Sequence, residues 1–159
     1  MPAERYLKNP ELVGVRDLRG SAMPLAAGQT FTKGAFVVIS GGQVSEALNA
    51  ANQYLALAAE DAAPGYQKWP VAKTDVSFHS LKGAEIAINV YTAAGNTPVI
   101  GNKYPITKQG GYWRINLDTT TGATMTVLRL FDSGASLSDP NVRVVCAIDD
   151  SACYVGPVQ

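Results

Sequence analysis

The chain has 159 residues, of which 47% are hydrophobic and only 16% charged, and its 13 basic and 13 acidic side chains cancel. That length suits one ordinary domain, or two small lobes sharing one core, and the charged fraction lies well below the roughly 25% of an average soluble domain. No basic cluster offers the counterion release behind nucleic-acid binding or the attraction that holds a protein on a membrane, and no apolar run approaches the ~18 residues of a bilayer-spanning helix. The expectation is therefore a protein with neither nucleic-acid nor membrane partners. Met1 to Glu4 carry neither the basic nor the apolar part of a secretory leader, so synthesis in the cytoplasm is expected.

Residues 1–24 contain Pro2, Pro10, Gly14, Gly20 and Pro24 and keep no sustained period of 2 or 3.6. They predict an extended N-terminal arm. An arm not folded on its own body commonly lies on a neighbouring subunit, the alternative being a frayed terminus. Its apolar residues Tyr6, Leu7, Leu12, Val13 and Val15 are the candidate subunit contacts, because burying them supplies most of the contact energy available there.

Residues 25–74 predict a first β-lobe. An apolar run at 36–39 is followed by Gly41-Gly42 and a return strand at 43–46, the grammar of a hairpin. Residues 45–63 are alanine-rich, with Leu48, Ala51, Leu55, Ala58 and Ala62 at helical spacing. The same stretch alternates at Leu55, Leu57 and Ala59, which favours a strand over 54–60 with a helical turn allowed over 46–52.

Residues 75–159 predict a second β-lobe packed on the first. Ile86, Ile88 and Val90 alternate with Glu85, Asn89 and Tyr91, which reads as a half-buried strand. Residues 112–117 repeat the pattern with Trp113, Ile115 and Leu117 inward, and residues 142–148 do so with Val142, Val144, Cys146 and Ile148. Residues 124–131 are apolar on both faces, the pattern of a strand covered on both sides. Turn-forming clusters separate these runs, so the fold class expected is mainly β, a barrel or sandwich-like body of short antiparallel strands.

Residue chemistry gives little to catalysis. His79 is the sole histidine and has no carboxylate at an informative spacing, while the adjacent pairs Glu60-Asp61 and Asp149-Asp150 have the placement of solvated turn residues. Asp139 with Asp149 and Asp150 lacks the spacing of a calcium loop, and Cys146 and Cys153 with one histidine do not compose a zinc site. The residues 34–38 lack the lysine and the following helix of a phosphate loop. No catalytic, metal or cofactor-binding residue is expected. A tight turn at 149–150 would set Cys146 opposite Cys153 within bridging reach, though two reduced, apolar cysteines are the favoured state. Tyr91, Tyr112 and Tyr154 are candidates for exposed aromatics.

The order Ala27-Gly28-Gln29-Thr30-Phe31-Thr32-Lys33-Gly34-Ala35-Phe36-Val37-Val38, then Gly41-Gly42-Gln43-Val44, then Tyr54-Leu55-Ala56-Leu57-Ala58-Ala59-Glu60-Asp61-Ala62 resembles the opening β-lobe of capsid decoration (cement, head-stabilising) proteins of tailed bacteriophages. The stretch with Gly101, Tyr104, Gly110-Gly111-Tyr112-Trp113 and Asp139-Pro140-Asn141-Val142-Arg143-Val144 is similar to a second β-lobe of larger members, a departure from the shortest ones. The resemblance implies a structural virion protein on the capsid surface, a homotrimer that clamps neighbouring major capsid protein subunits. A phage tail, baseplate or fibre domain and a sugar-binding β-module are the alternatives from other classes.

Overall fold

A computed structural model describes residues 7–13, 20–64 and 75–155. Twelve strands and a single 3-10 turn at Asp150–Ala152 make up their regular structure, so the protein is nearly all β. In chain order the strands are β1 (Glu11–Leu12), β2 (Gly20–Pro24), β3 (Phe36–Ser40), β4 (Gln43–Glu46), β5 (Leu55–Ala58), β6 (Asp75–Ser80) and β7 (Glu85–Tyr91). They continue with β8 (Lys103–Tyr104), β9 (Ile106–Gln109), β10 (Tyr112–Asn116), β11 (Met125–Leu130) and β12 (Arg143–Ile148).

Two sheets form a sandwich-like body. The smaller runs β2-β6-β5-β3-β4 and is antiparallel throughout. The larger runs β8-β11-β12-β7-β10-β9, with β10 parallel to β7 and β1 added antiparallel beside the first half of β7. Both sheets curl without closing into a barrel. The outermost strands β8 and β9 of the large sheet are joined through Pro105 alone, and in the small sheet a single bridge from Leu25 to Val44 brings its two edges together.

The β3–β4 hairpin turns at Gly41 and Gly42, both at positive φ (58° and 73°), the geometry whose twist matches the flanking strands. Residues 47–54 form an irregular loop, not a helical turn. Helix propensity loses there because the backbone N–H groups of Ala47 and Ala50 are taken by the carbonyls of Phe36 (2.9 Å) and Ile106 (2.8 Å), in another strand each time. The strand expected over 54–60 is β5, buried at all four positions between β3 and β6.

One hydrophobic core joins the sheets. Its buried residues form one cluster that includes Ile86, Ile88, Val144, Cys146 and Ile115 from the large sheet and Phe36, Val37, Leu55 and Phe78 from the small one. Trp113 is 1% exposed, on the same side as Ile115, and its ring meets Phe36 edge-on at 5.6 Å.

Two burial expectations come out exchanged. β7, read as half-buried, is buried at Ala87 and Asn89 as well, because it lies centrally and is covered on both faces. β11, read as covered on both sides, buries Met125 and Val127 but leaves Arg129 exposed, because it lies next to the edge strand β8 and is bulged between Val127 and Arg129. The segment assigned to an arm also differs from expectation where it is described. Residues 20–24 pair with β6 as an edge strand, where Pro24 is tolerated, and Glu11–Leu12 pair with β7. The sheets further divide after residue 80, since β6 belongs with the small sheet.

Candidate functional site

Strand register builds a polar row across the outer face of the large sheet. Thr107 on β9 stands opposite Arg114 on β10, Arg114 opposite Asn89 on β7, and Asn89 opposite Arg143 on β12. All four are buried, Arg114 at 8% exposure and Arg143 at 7%. Buried polar groups need partners, and a buried charge needs them most.

At the β12 end the N-terminal segment supplies them. Glu11 is paired opposite Ala87, so its side chain rises on the face that carries Asn89 and Arg143, and its carboxylate accepts from the Arg143 guanidinium. Arg143 also stacks over Phe131, 4.5 Å from the ring centre. Lys8 donates its backbone N–H to Asn89 Oδ1 at 3.1 Å, and Val13 donates to the Glu85 carbonyl at 3.0 Å.

Residues 9 and 10 fasten the same segment to the small-sheet side. Asn9 Oδ1 accepts from the Trp113 backbone N–H at 3.3 Å, while its Nδ2 donates to Thr32 Oγ1 at 2.8 Å and to the Lys33 carbonyl at 3.1 Å. Gly34, at φ +85°, lets this approach happen: a Cβ there would fall 2.8 Å from the Pro10 carbonyl oxygen and 2.9 Å from Asn9 Cβ. Of the five candidate contact residues, Leu7, Leu12 and Val13 are half-buried on the chain's own body, with Leu12 packed against the core. Tyr6 and Val15 lie outside the described residues.

At the β10 end the row opens into a pocket of about 420 Å³ whose lining includes Arg114, Tyr91, Thr92, Asn96, Ser138 and Asn141. Arg114 Nη2 donates to the Gln109 carbonyl at 2.9 Å and Nη1 makes a long 3.4 Å contact with Asn141 Oδ1, while Nε has no partner. Its guanidinium lies 5.7 Å from the Tyr91 ring centre. Burial pulls its ionisation below the ordinary arginine value, Tyr91 offsets part of this, and among the described residues no carboxylate pairs with it. Asp118 braces the wall: Thr92 Oγ1 donates to it at 2.5 Å and the Ala93 N–H at 2.6 Å, bonds that hold its carboxyl below the usual range.

A second surface is a groove of mixed character. Leu48, 81% exposed, and Tyr54, 55% exposed, line it with Val38 and Ala51 among the polar residues Ser45, Glu46, Asn49, Asn52 and Gln53. The loop that carries them is fixed from below. Asn49 Oδ1 accepts from the Lys108 N–H at 2.8 Å, and Gly122 packs so tightly that a Cβ there would lie 2.7 Å from the Ala50 carbonyl oxygen. Ala50 and Tyr54 themselves hold positive φ (60° and 56°), a conformation kept only when the surroundings over-determine it. Val99 and Ile100 are likewise exposed at the loop before β8, anchored by the Gly101 N–H on the Val127 carbonyl at 2.7 Å.

The residues considered for chemistry are scattered. His79 lines a cleft against Glu11 and Leu12, its Nδ1 unpartnered. Glu60 accepts from the Ser77 N–H at 2.6 Å and Asp61 from the Lys33 N–H at 2.7 Å, each bracing a different segment. Asp149 pairs with Lys103 at 2.8 Å, and Asp139 accepts from the Ser136 N–H at 2.9 Å. Among the described residues no three His, Cys, Asp or Glu side chains gather as a metal site would require. Cys146 and Cys153 are separate buried thiols, because Asp150–Ala152 form a 3-10 turn where a tight hairpin would have set them opposite. Of the three tyrosines, Tyr91 underlies Arg114, Tyr154 packs edge-on against Phe78, and Tyr112 is exposed.

Sequence reading missed the polar row. Arg114, Asn89 and Arg143 occupy the outward positions of strands read for their inward residues, and nothing local to them announces that Lys8 and Glu11 meet Asn89 and Arg143 on that face. No protein-family model matches the chain, and no curated protein or solved structure matches it either.

Proposed function

We propose that the protein is a non-enzymatic structural subunit that binds the outer surface of a phage capsid and stabilises it by bridging major capsid protein subunits, acting as a homotrimer. The observation that carries this reading is the loop at 47–54, which holds Leu48 and Tyr54 out of the body on a backbone hydrogen-bonded from below. An exposed aliphatic and aromatic pair on a preorganised loop loses little entropy on docking, the condition under which a small patch binds well. The segments that resemble decoration proteins support it too, since residues 27–38, 41–44 and 54–62 form the β3–β4–β5 part of the small sheet and its flanking turns. Trimerisation then multiplies a modest affinity per site through effective concentration.

The test is binding to undecorated, expanded capsids, read as occupancy and heat resistance. The double variant Leu48→Asp, Tyr54→Ser should fold like the wild type and bind at least ~30-fold more weakly, as loss of one hot-spot cluster of about 2 kcal/mol requires. Absence of binding by the wild type would refute the capsid reading for that shell. Equal binding by both forms would place the contact on another surface.

A further inference from the structure

We propose that the pocket floored by Arg114 is a carboxylate-binding site. Arginine carries five N–H donors in a fixed fork and stays charged in proteins. Arg114 uses one donor well, on Gln109, and one poorly, on Asn141, and Nε is left without a partner although the residue is only 8% exposed. A buried cation needs a counter-charge, and Arg143, two strands further along the same row, has one in Glu11, although its own Nε is likewise without a partner. For Arg114 the place where an anion belongs is the pocket it lines.

The lining says which anion. Thr92 Oγ1 and Asn96 Nδ2 are engaged with Asp118, Ser138 Oγ with Ser136 and Asn141 Oδ1 with Arg114, so the lining is polar but mostly spoken for, and Arg114 brings the one positive charge among the lining residues. The carboxylate of Asp139 stands on the wall and that of Asp118 behind it, each already accepting backbone N–H groups. One cation with acids at the margin suits a monoanion and disfavours phosphate, which binds where several cations or a backbone nest converge. The planar guanidinium fork matches a carboxylate in shape as well.

The site is also built ahead of its ligand. Asn141 sits at φ +54°, a conformation asparagine adopts more readily than most residues, and its carbonyl accepts from Asn89 Nδ2 at 2.6 Å, which fixes the turn beside Arg114. Gly110 packs against the other side of the guanidinium, a Cβ there falling 3.1 Å from Nη2. Arg114 is thus pinned between two turns, with its stacking face on Tyr91.

A carboxylate reaches such a pocket either as a free organic acid or as an acidic side chain of a protein partner. The test follows the Arg114 Nε–H resonance of the full chain by NMR during titration with sodium acetate, sodium phosphate, or a blocked tetrapeptide containing one aspartate, at constant ionic strength. A saturable shift with acetate, or with the peptide alone, is expected, and the peptide-only outcome identifies a protein source. Followed on the Asn141 backbone amide, which wild type and variant share, Arg114→Gln should weaken the binding roughly 10- to 100-fold, the range for a charge-assisted hydrogen bond. Ser138→Trp, placed at the exposed rim, should block it without touching the core, which keeps the test decisive if Arg114→Gln does not fold. No saturable shift with either carboxylate, a shift untouched by Ser138→Trp, or tighter binding of phosphate than of acetate would overturn the proposal.

Discussion

The two faces of the large sheet are buried by different means. Its inner face is closed by apolar side chains against the small sheet, with Trp113, Ile86, Ile88, Val144 and Cys146 all 1% exposed or less. Its outer face is closed over Thr107, Arg114, Asn89 and Arg143, in part by a polar N-terminal segment that arrives from more than 70 residues away in sequence. The inner face is apolar apart from the Glu46 carboxylate, which accepts from Trp113 Nε1 at 3.1 Å, and it gains from the area it removes from water. The outer face holds charge and depends on each group finding its partner, so it is specific, easily upset, and able to take a ligand.

The comparison breaks most visibly on the inner side. Trp113→Ala removes the ring that meets Phe36 and leaves a cavity between the sheets, and should cost about 3–5 kcal/mol in urea denaturation. A loss below ~1 kcal/mol would mean that the two sheets do not share this core.

The outer side is tested through Gly34. Gly34→Ala places a methyl group against the Pro10 carbonyl oxygen at a positive φ, and should cost at least ~2 kcal/mol while unseating residues 7–13. Gly28→Ala is the control, because Gly28 has a similar φ of +74° with open space around its Cβ. The excess cost at Gly34, with faster amide exchange at Lys8 and Val13, isolates the contact with the N-terminal segment. Equal costs at both positions would mean that the segment contributes nothing there.

The same contrast explains what could be read from the residues alone. Period-2 alternation depends only on which face of one strand meets apolar neighbours, so Trp113, Ile115, Ile86, Ile88 and Cys146 were legible as inward. Burial of the opposite face depends on where the strand stands in its sheet and what crosses it. Asn89 and Arg143 are polar residues at outward positions, and alternation assigns such residues to solvent whether or not Lys8 and Glu11 reach them. The placements of β7 and β11 were exchanged for that reason: composition records how apolar a strand is, and not whether it lies in the middle of a sheet. The loop at 47–54 was ambiguous because its propensity is helical while its hydrogen-bond partners, Phe36 and Ile106, are remote in sequence.

The smallest effect concerns charge on the inner side, where a thiol should resist ionisation. Cys153 is 6% exposed and donates to the Asp149 carbonyl at 3.4 Å. Burial, with Asp150 and Asp149 nearby, pushes its pKa from 9.0 up to about 11. The unfolded chain therefore gives up this proton above pH 9 while the folded chain keeps it until about pH 11. The folded state then binds more protons than the unfolded one, so stability is fully present below pH 9 and falls as the pH rises towards 11. Between pH 8 and pH 10 the loss from this group should be roughly 1 kcal/mol. Cys146, whose burial raises its pKa too, adds a slope of its own, so the measurement is a difference: urea denaturation of wild type and Cys153→Ala at both pH values. The gap between the two proteins should move by that amount in favour of the alanine form at pH 10. A gap that does not change with pH would mean that Cys153 ionises as freely in the folded chain as in the unfolded one, and that charge enters the inner face as readily as it does the outer.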